Sequence, residues 1–411
     1  MTGVQTCALP ISVVAGYGYK YVRIIAPGDV TVANSDRRRF VANFGLLPLQ
    51  ASDFLSQSGY EQRLSPLGLP EFTSPGRTAK KSVLLIQVEA LDANVMFAEH
   101  GGSPVMPFLR SLAGAGGYIP HMMSYHLGGG TSDAEFTALT SMQPLADYAA
   151  FNLPDYRYPN SMPRSFNEVG YRVEAFHGNV GRYWNRRSVF VAMGFDEYWS
   201  LDKAGYPESG WGAKDDDVFD FVAGRMDQSS VPFFFLVLTM SSHGPYRNAP
   251  QYHVDSRFDD LPAGIERNYL LAMSYVDSAL RRFFDRTGDR LDDVIMVIYG
   301  DHSEYYVPDD EYSFPRSAVR DGPRRLEFVP CVILGAGKDS VTGTDGATLA
   351  DLAPTVLAAS GIPYRIRSIG TDLMNGLSPR PDVPFSGHEY SREELARFGG
   401  STLLSTKPEG R

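Results

Sequence analysis

One stretch restricts the fold more than any other: Val294-Ile295-Met296-Val297-Ile298-Tyr299-Gly300-Asp301-His302. Six apolar or aromatic residues run without a break, then a glycine, then an acid beside an imidazole. A run this short, this rich in Val and Ile and this free of polar residues describes a strand buried on both faces, as in a parallel sheet. In open α/β sheets, ligands sit in the crevice outside the carboxyl ends of the strands. Asp301 and His302 stand at such an end. The design recurs: residues 83–88 run into Glu89, 171–176 into His177 and Gly178, and 233–240 into Ser241, Ser242 and His243. A single histidine after a strand is ordinarily a loop or core residue. Four runs that each deliver a carboxylate or imidazole describe one rim that collects such groups.

Between the runs the apolar spacing changes from continuous to helical. Helices are predicted over 106–115, with Pro107 in the first turn, and over 163–169, 215–226, 264–286 and 347–359. In the longest, Tyr269, Met273, Val276, Leu280 and Phe283 recur at steps of three and four, the stripe of a half-buried helix. Further strands are expected over 118–125 and around Cys331. Strand and helix alternate, so the fold class is α/β: a mostly parallel central sheet with helices on both faces.

Three glycines, Gly128 to Gly130, precede Thr131-Ser132-Asp133. That order places Thr131 at or just before a helix start, with Glu135 in the first turn. The opening residues 1–11 read as a translated sequencing adapter, so the gene and any membrane anchor are expected to continue upstream. Residues 12–79, rich in Gly, Pro, Ser and Arg, read as a connecting arm. A charged cluster spans 36–39, and 40–47 reads as a helix or an extended segment. The compact domain is expected over 80–380, and 381–411 as a C-terminal extension. No run of about 18 uncharged apolar residues is present, and the N-terminus lacks the basic start and long apolar core of a signal peptide.

Charge narrows the partners. The net charge is −10, which disfavours a nucleic-acid partner because phosphate backbones call for a basic field. With only Cys7 and Cys331, neither a disulfide framework nor a cysteine metal site can form. Cys331 lies within an apolar run and reads as a buried strand thiol.

The rim residues suit a divalent cation. Glu89, Asp301 and His302 offer two carboxylates and an imidazole, a donor set compatible with Mn, Zn or Mg. Each acid alone would serve equally well as a cap or a salt-bridge partner. Thr131 is the nucleophile candidate, since a threonine hydroxyl needs a base or a metal to ionise it, and a helix start also receives phosphate oxygens. Taken alone, it is an ordinary N-cap. The segment from Phe176 through Trp184 and Arg186 offers an arginine fork for phosphate and an indole wall, or else a surface loop with a buried tryptophan. His243 can donate a proton to a leaving group or bind substrate.

Together these segments resemble the extracytoplasmic catalytic domain of the lipoteichoic acid synthase and phosphoglycerol transferase family, within the alkaline phosphatase and sulfatase superfamily. The resemblance covers residues 80 to about 375. It rests on Gln87-Val88-Glu89, Gly130-Thr131-Ser132-Asp133-Ala134-Glu135-Phe136, Phe176-His177-Gly178-Asn179 with Trp184-Asn185-Arg186, Ser242-His243-Gly244-Pro245-Tyr246, Tyr299-Gly300-Asp301-His302 and Asp351-Leu352-Ala353-Pro354-Thr355. It implies an alkaline phosphatase-like fold and one divalent metal, commonly manganese, on Glu89, Thr131, Asp301 and His302. It further implies attack by Thr131 on the phosphorus of phosphatidylglycerol, release of diacylglycerol, and transfer from the glycerophospho-threonine to a glycan or glycerophosphate acceptor. His177, Trp184, Arg186 and His243 would hold the glycerol phosphate, and the full-length protein would be anchored in the membrane and face the periplasm or cell exterior. The Cys/Ser-x-Pro-x-Arg segment of true sulfatases is missing, which argues against sulfate ester hydrolysis. Two alternatives remain: a phosphoethanolamine transferase or phosphodiesterase of the same superfamily, and an inactive domain that binds glycerophosphate polymers.

Overall fold

The computed structural model describes residues 60–77, 80–153, 155–307, 313, 315–337, 341–374 and 380–402. The expectations for residues 1–11, 36–39 and 40–47 lie outside the described residues.

The strands of the main sheet are β1 (Ser82–Val88), β2 (Gly117–Ser124), β3 (Arg172–His177), β4 (Glu197–Trp199), β5 (Phe233–Leu238), β6 (Val294–Gly300), β7 (Ala318–Asp321) and β8 (Arg324–Leu334). Their spatial order is β7-β8-β6-β1-β5-β3-β4, with β2 also paired to β8. The pairs β6–β1, β1–β5, β5–β3 and β3–β4 are parallel. The pairs β6–β8, β8–β7 and β8–β2 are antiparallel. The sheet is thus mixed and mostly parallel, as the continuous apolar runs require.

Helices α1 (Pro107–Ala115), α2 (Thr131–Thr140), α3 (Met162–Glu168), α4 (Arg186–Met193), α5 (Asp215–Asp227), α6 (Ile265–Thr287), α7 (Leu352–Ser360) and α8 (Arg392–Ser401) surround it. Successive residues of a strand point to opposite faces, and the packing shows both faces covered. From β1 and β6, Val83, Leu85, Ile295, Val297 and Tyr299 enter one core with residues of α2, α3, α4 and α7. Leu84, Ile86, Val88, Met296 and Ile298 enter the other, against α1, α5 and the whole Tyr269–Phe283 stripe of α6. Cys331 is buried in β8 as expected.

Parts of the flanking regions join this body. Leu64 is buried in the core, and strand Glu71–Ser74 pairs antiparallel with Tyr364–Arg367. In α8, Arg392 makes a buried two-point ion pair with Asp351 (2.6 and 2.9 Å). None of the described helices is long and apolar enough to cross a membrane.

The β2–β8 ladder contains one irregularity. Glu327 faces Ser124 and Val329 faces Met122, but Cys331 faces Ile119. Pro120 and His121 therefore stand opposite the single residue Pro330, a bulge at a position where proline has no N–H to offer the ladder.

Candidate active site

The site is built at the carboxyl edge of β1, β3, β5 and β6. Glu89 follows β1. Its backbone N–H donates to Thr239 Oγ1 at 3.0 Å, and its carbonyl accepts from Ser242 Oγ at 2.6 Å. Those two bonds fasten the ends of neighbouring strands β1 and β5 together. Asp301 and His302 follow β6. Asp301 Oδ1 accepts the backbone N–H groups of Ala90 and His302, both at 2.8 Å. Its Oδ2 is buried without a hydrogen-bond partner and lies 3.5 Å from His302 Nε2. His302 Nε2 lies 3.2 Å from Glu89 Oε1. One donor atom from each of Glu89, Asp301 and His302 falls within 4.8 Å of the other two, and all three residues are buried. Thr131 Oγ1 donates toward Glu89 Oε2 at 3.5 Å.

The electrostatics of this cluster express crowding. Burial, then the Glu89 charge, pushes the Asp301 carboxyl far above the usual carboxylate range. Burial opposes the charge on His302, but Asp301 and Glu89 hold its proton far more tightly than usual. Burial would raise Glu89 too, yet His243 and His302 bring it below its ordinary value. Two carboxylates and a proton on His302 share one small volume, and one carboxylate oxygen remains unanswered.

Thr131 is the first residue of α2. Its predecessor Gly130 occupies the cap position with φ 56° and ψ −136° and no side-chain cap bond, so the threonine hydroxyl is left free to face Glu89. Asp133 turns back to accept the N–H groups of Leu127 and Gly129 at 2.9 and 2.8 Å, bracing the glycine turn. Glu135 falls beyond the first turn, because the helix starts at Thr131. It does not close a capping box but accepts from Arg186 Nε at 2.9 and 3.1 Å and from Nη2. Both residues are buried. Burial pushes the Glu135 carboxyl up and the Arg186 charge pulls it back; Arg186, buried against that carboxylate, holds its proton more firmly than usual. The fork geometry is that of an ionised pair, and the shift on Arg186 agrees with it.

His177, Trp184 and Arg186 line one cleft with Glu89, Thr131 and His243. The structure therefore brings all eight residues singled out from the sequence to one locus. His177 is buried, with Nδ1 3.1 Å from the carbonyl of Leu238. A carbonyl accepts only, so Nδ1 carries the hydrogen and Nε2 keeps its lone pair. Burial, then the Arg186 charge, pushes its pKa down to about 3, so it is neutral at working pH. His243 Nδ1 likewise donates to the carbonyl of Gly244 at 2.7 Å, which leaves Nε2 as its reactive atom. Trp184 and Asn185 hold φ of 52° and 54°, and Ala90, beside Glu89, 56°. Non-glycine residues in that region carry strain and gather at functional sites.

Several site residues escaped the sequence reading. Trp211 lines the cleft and packs edge-on against His243, ring centroids 4.2 Å apart. His126 lies flat on His302, 4.4 Å away at 15°. Glu327 stands behind both, its oxygens 3.3 Å from His126 Nδ1. The residues Leu127-Gly128-Gly129 between His126 and the nucleophile segment were the only local hint of the second; the others lie far away in sequence.

Comparison with known proteins agrees with this picture. The sulfatase family model matches residues 81–362. Lipoteichoic acid synthase 2 of Bacillus subtilis is 27% identical over 344 residues, 79% of this chain and 52% of the relative. Lipoteichoic acid synthase of Staphylococcus aureus (strain USA300) is 24% identical over 425 residues, 95% of this chain and 63% of the relative. The chain thus spans between half and two thirds of the length of these relatives. Among solved structures, the lipoteichoic acid synthase LtaP from Listeria monocytogenes superposes with a TM-score of 0.64 at 20% identity, over 83% of this chain and 97% of that one.

Proposed function

Because the chain belongs to the sulfatase family and has its alkaline phosphatase-like α/β fold, we propose that it is a metal-dependent phosphoglycerol transferase. In this reading it moves glycerol phosphate from phosphatidylglycerol to a cell-envelope glycan or glycerophosphate polymer, on the extracytoplasmic side of the membrane. The observation that carries it is the meeting of Glu89, Asp301 and His302 around the hydroxyl of Thr131, at the floor of a cleft that ends in His177, Arg186 and His243.

The residues fit a divalent cation. Asp301 Oδ2 is buried and unpartnered, and a proton on His302 now balances charge that a cation would balance better. Glu89, Asp301, His302 and Thr131 would hold it, Mn being the first expectation and Mg or Zn the others. When bound, it supplies Lewis-acid charge at the threonine hydroxyl and the phosphoryl oxygens.

Thr131 Oγ1 gives up its proton along its bond to Glu89 Oε2 and attacks phosphorus at the positive end of α2, where the helix dipole favours the incoming anion. The bond from phosphorus to the diacylglycerol oxygen breaks, and His243 Nε2, when protonated, gives that oxygen its hydrogen. In the second half, His243 takes a proton from the acceptor hydroxyl as that oxygen displaces Thr131, and Glu89 returns the proton to Thr131 Oγ1. Arg186 spends Nε and Nη2 on Glu135, which aims the guanidinium and leaves Nη1 for the substrate. Neutral His177 presents a lone pair at Nε2, suited to accept from a glycerol hydroxyl rather than to meet a phosphate oxygen. Trp184 and Trp211 wall the glycerol and exclude water.

Purified protein with Mn and fluorescent phosphatidylglycerol should release diacylglycerol, and Thr131→Ala should not. No release by the parent, or equal release by the variant, sinks the reading. Phosphatidylethanolamine assayed in parallel tests the ethanolamine alternative, and preference for it would move the assignment there.

A further inference from the structure

We propose that His126 and Glu327 form a clamp that fixes the ring of His302 in the tautomer and orientation a metal ligand needs. This rests on the reading of Glu89, Asp301 and His302 as the cation site, and it assigns a positioning role to two residues outside that set.

The clamp works on two sides of one imidazole. On the edge, His302 Nδ1 lies 2.9 Å from the carbonyl of Ser303, so Nδ1 donates there, and Nε2, which faces Glu89 and Asp301, is the nitrogen left for a cation that displaces its proton. Ser303 is itself held by Glu327, whose Oε2 accepts its backbone N–H at 3.0 Å. On the face, His126 stacks on His302, and Tyr305 closes the same side with ring centroids 5.2 Å from His302 and 5.5 Å from His126. Glu327 also holds His126 through Nδ1 and is neutralised by Arg325 Nε at 3.1 Å. Partners behind a metal-binding histidine set its ring angle and basicity, and their loss commonly weakens metal binding by about 10–100-fold.

A rival arrangement uses the same atoms. His126, His302 and Glu327 also lie close enough together to hold a second cation. The hydrogen bonds argue against it: His302 Nδ1 is committed to Ser303, its Nε2 faces the first site, and Glu327 already serves Ser303, Arg325 and His126.

The test is Mn binding to the full chain, measured by competition with a fluorescent chelator, together with the Mn-induced rise in melting temperature. No lipid is needed. The parent should bind one Mn. His126→Ala and Glu327→Ala should bind it about tenfold more weakly while melting close to the parent without metal. His126→Phe, which keeps a flat ring on His302, should stay within about threefold of the parent, well inside that loss. If the alanine variant does not fold, His126→Gln, which also removes the ring, carries the same expectation. Parent-like affinity in the ring-deleted variant overturns the clamp, as does a parent that binds two Mn and loses one in Glu327→Ala. A parent that binds no Mn overturns the clamp and the cation site together. A parent that binds one Mn, with the variants weakened as stated but no transfer to any acceptor, leaves the clamp standing and removes only the transferase reading.

Discussion

Glu135→Ala tests how the arginine of the cleft is held. Arg186 is 3% exposed at its side chain and Glu135 is fully buried. Glu135 is Arg186's ion-pair partner, meeting Nε at 2.9 and 3.1 Å and also Nη2. Removing the carboxylate strands an almost wholly buried guanidinium with little water to replace its partner, and breaking a buried pair in this way costs about 3–5 kcal/mol. In a domain of this size each kcal/mol lowers the melting temperature by about 2 °C, so a fall of about 6–10 °C is expected. The double change Glu135→Leu with Arg186→Met removes both charges and keeps the volume filled, and it should regain most of the loss, since apolar replacements of buried pairs are often neutral or better. Urea unfolding of the parent, the two single variants and the double variant closes the cycle. The double variant should nonetheless be inactive, because Arg186 is needed in the cleft. The reasoning fails if Glu135→Ala lies within about 1 kcal/mol of the parent, or if the double variant is no more stable than Glu135→Ala.

Three further outcomes are expected. Gly130→Ala should lower activity sharply and stability by about 1–3 kcal/mol, because Gly130 sits at φ 56° and an added Cβ would touch Trp184 at 3.5 Å; parent-like turnover would contradict the role of this turn in placing Thr131. His177 has its native pKa lowered to about 3 from 6.5, so the unfolded chain binds more protons between those values and the stability held by neutral His177 is complete above about pH 6.5 and lost as pH falls. His177→Gln should therefore lose less stability than the parent between pH 7.5 and 4.5, read by urea midpoints. Chelation should lower the melting temperature of metal-loaded protein and Mn should restore it, as for any ligand that binds only the folded state; a melting curve indifferent to both would speak against the cation site.

The sequence showed the parts of this molecule that obey local rules. A strand buried on both faces has to be apolar at every position, so residues 83–88 and 294–300 could be read without knowing their neighbours, and the residues just past them marked the rim. The helical stripe of α6 was equally plain. Pairing was not. Nothing in residues 117–124 says that they lie beside β8, because an antiparallel and a parallel partner ask for the same apolar side chains. The Arg186–Glu135 pair spans 51 residues and the Glu327–His126 pair 201, distances at which only the fold decides what meets. Glu135 also shows how a local rule misleads: the spacing after Thr131 suggested a place in the first turn, but helix α2 begins at Thr131 itself, one residue earlier than a threonine cap would place it, and the buried guanidinium claims the carboxylate.

The bulge at Pro120 has an effect reaching well past the two residues it displaces. Side chains along a strand alternate sides, so a slip of a single position turns everything downstream of it over. By taking up one extra residue between Ile119 and Met122, the proline resets the phase of the remainder of β2. Ser124 thereby reaches across to the carbonyl of Asp301, and His126 emerges on the side where His302 waits. A saturated pyrrolidine ring works here as a phase shifter, and deleting residue 120 would leave the strand paired but send its last side chains to the wrong side of the sheet.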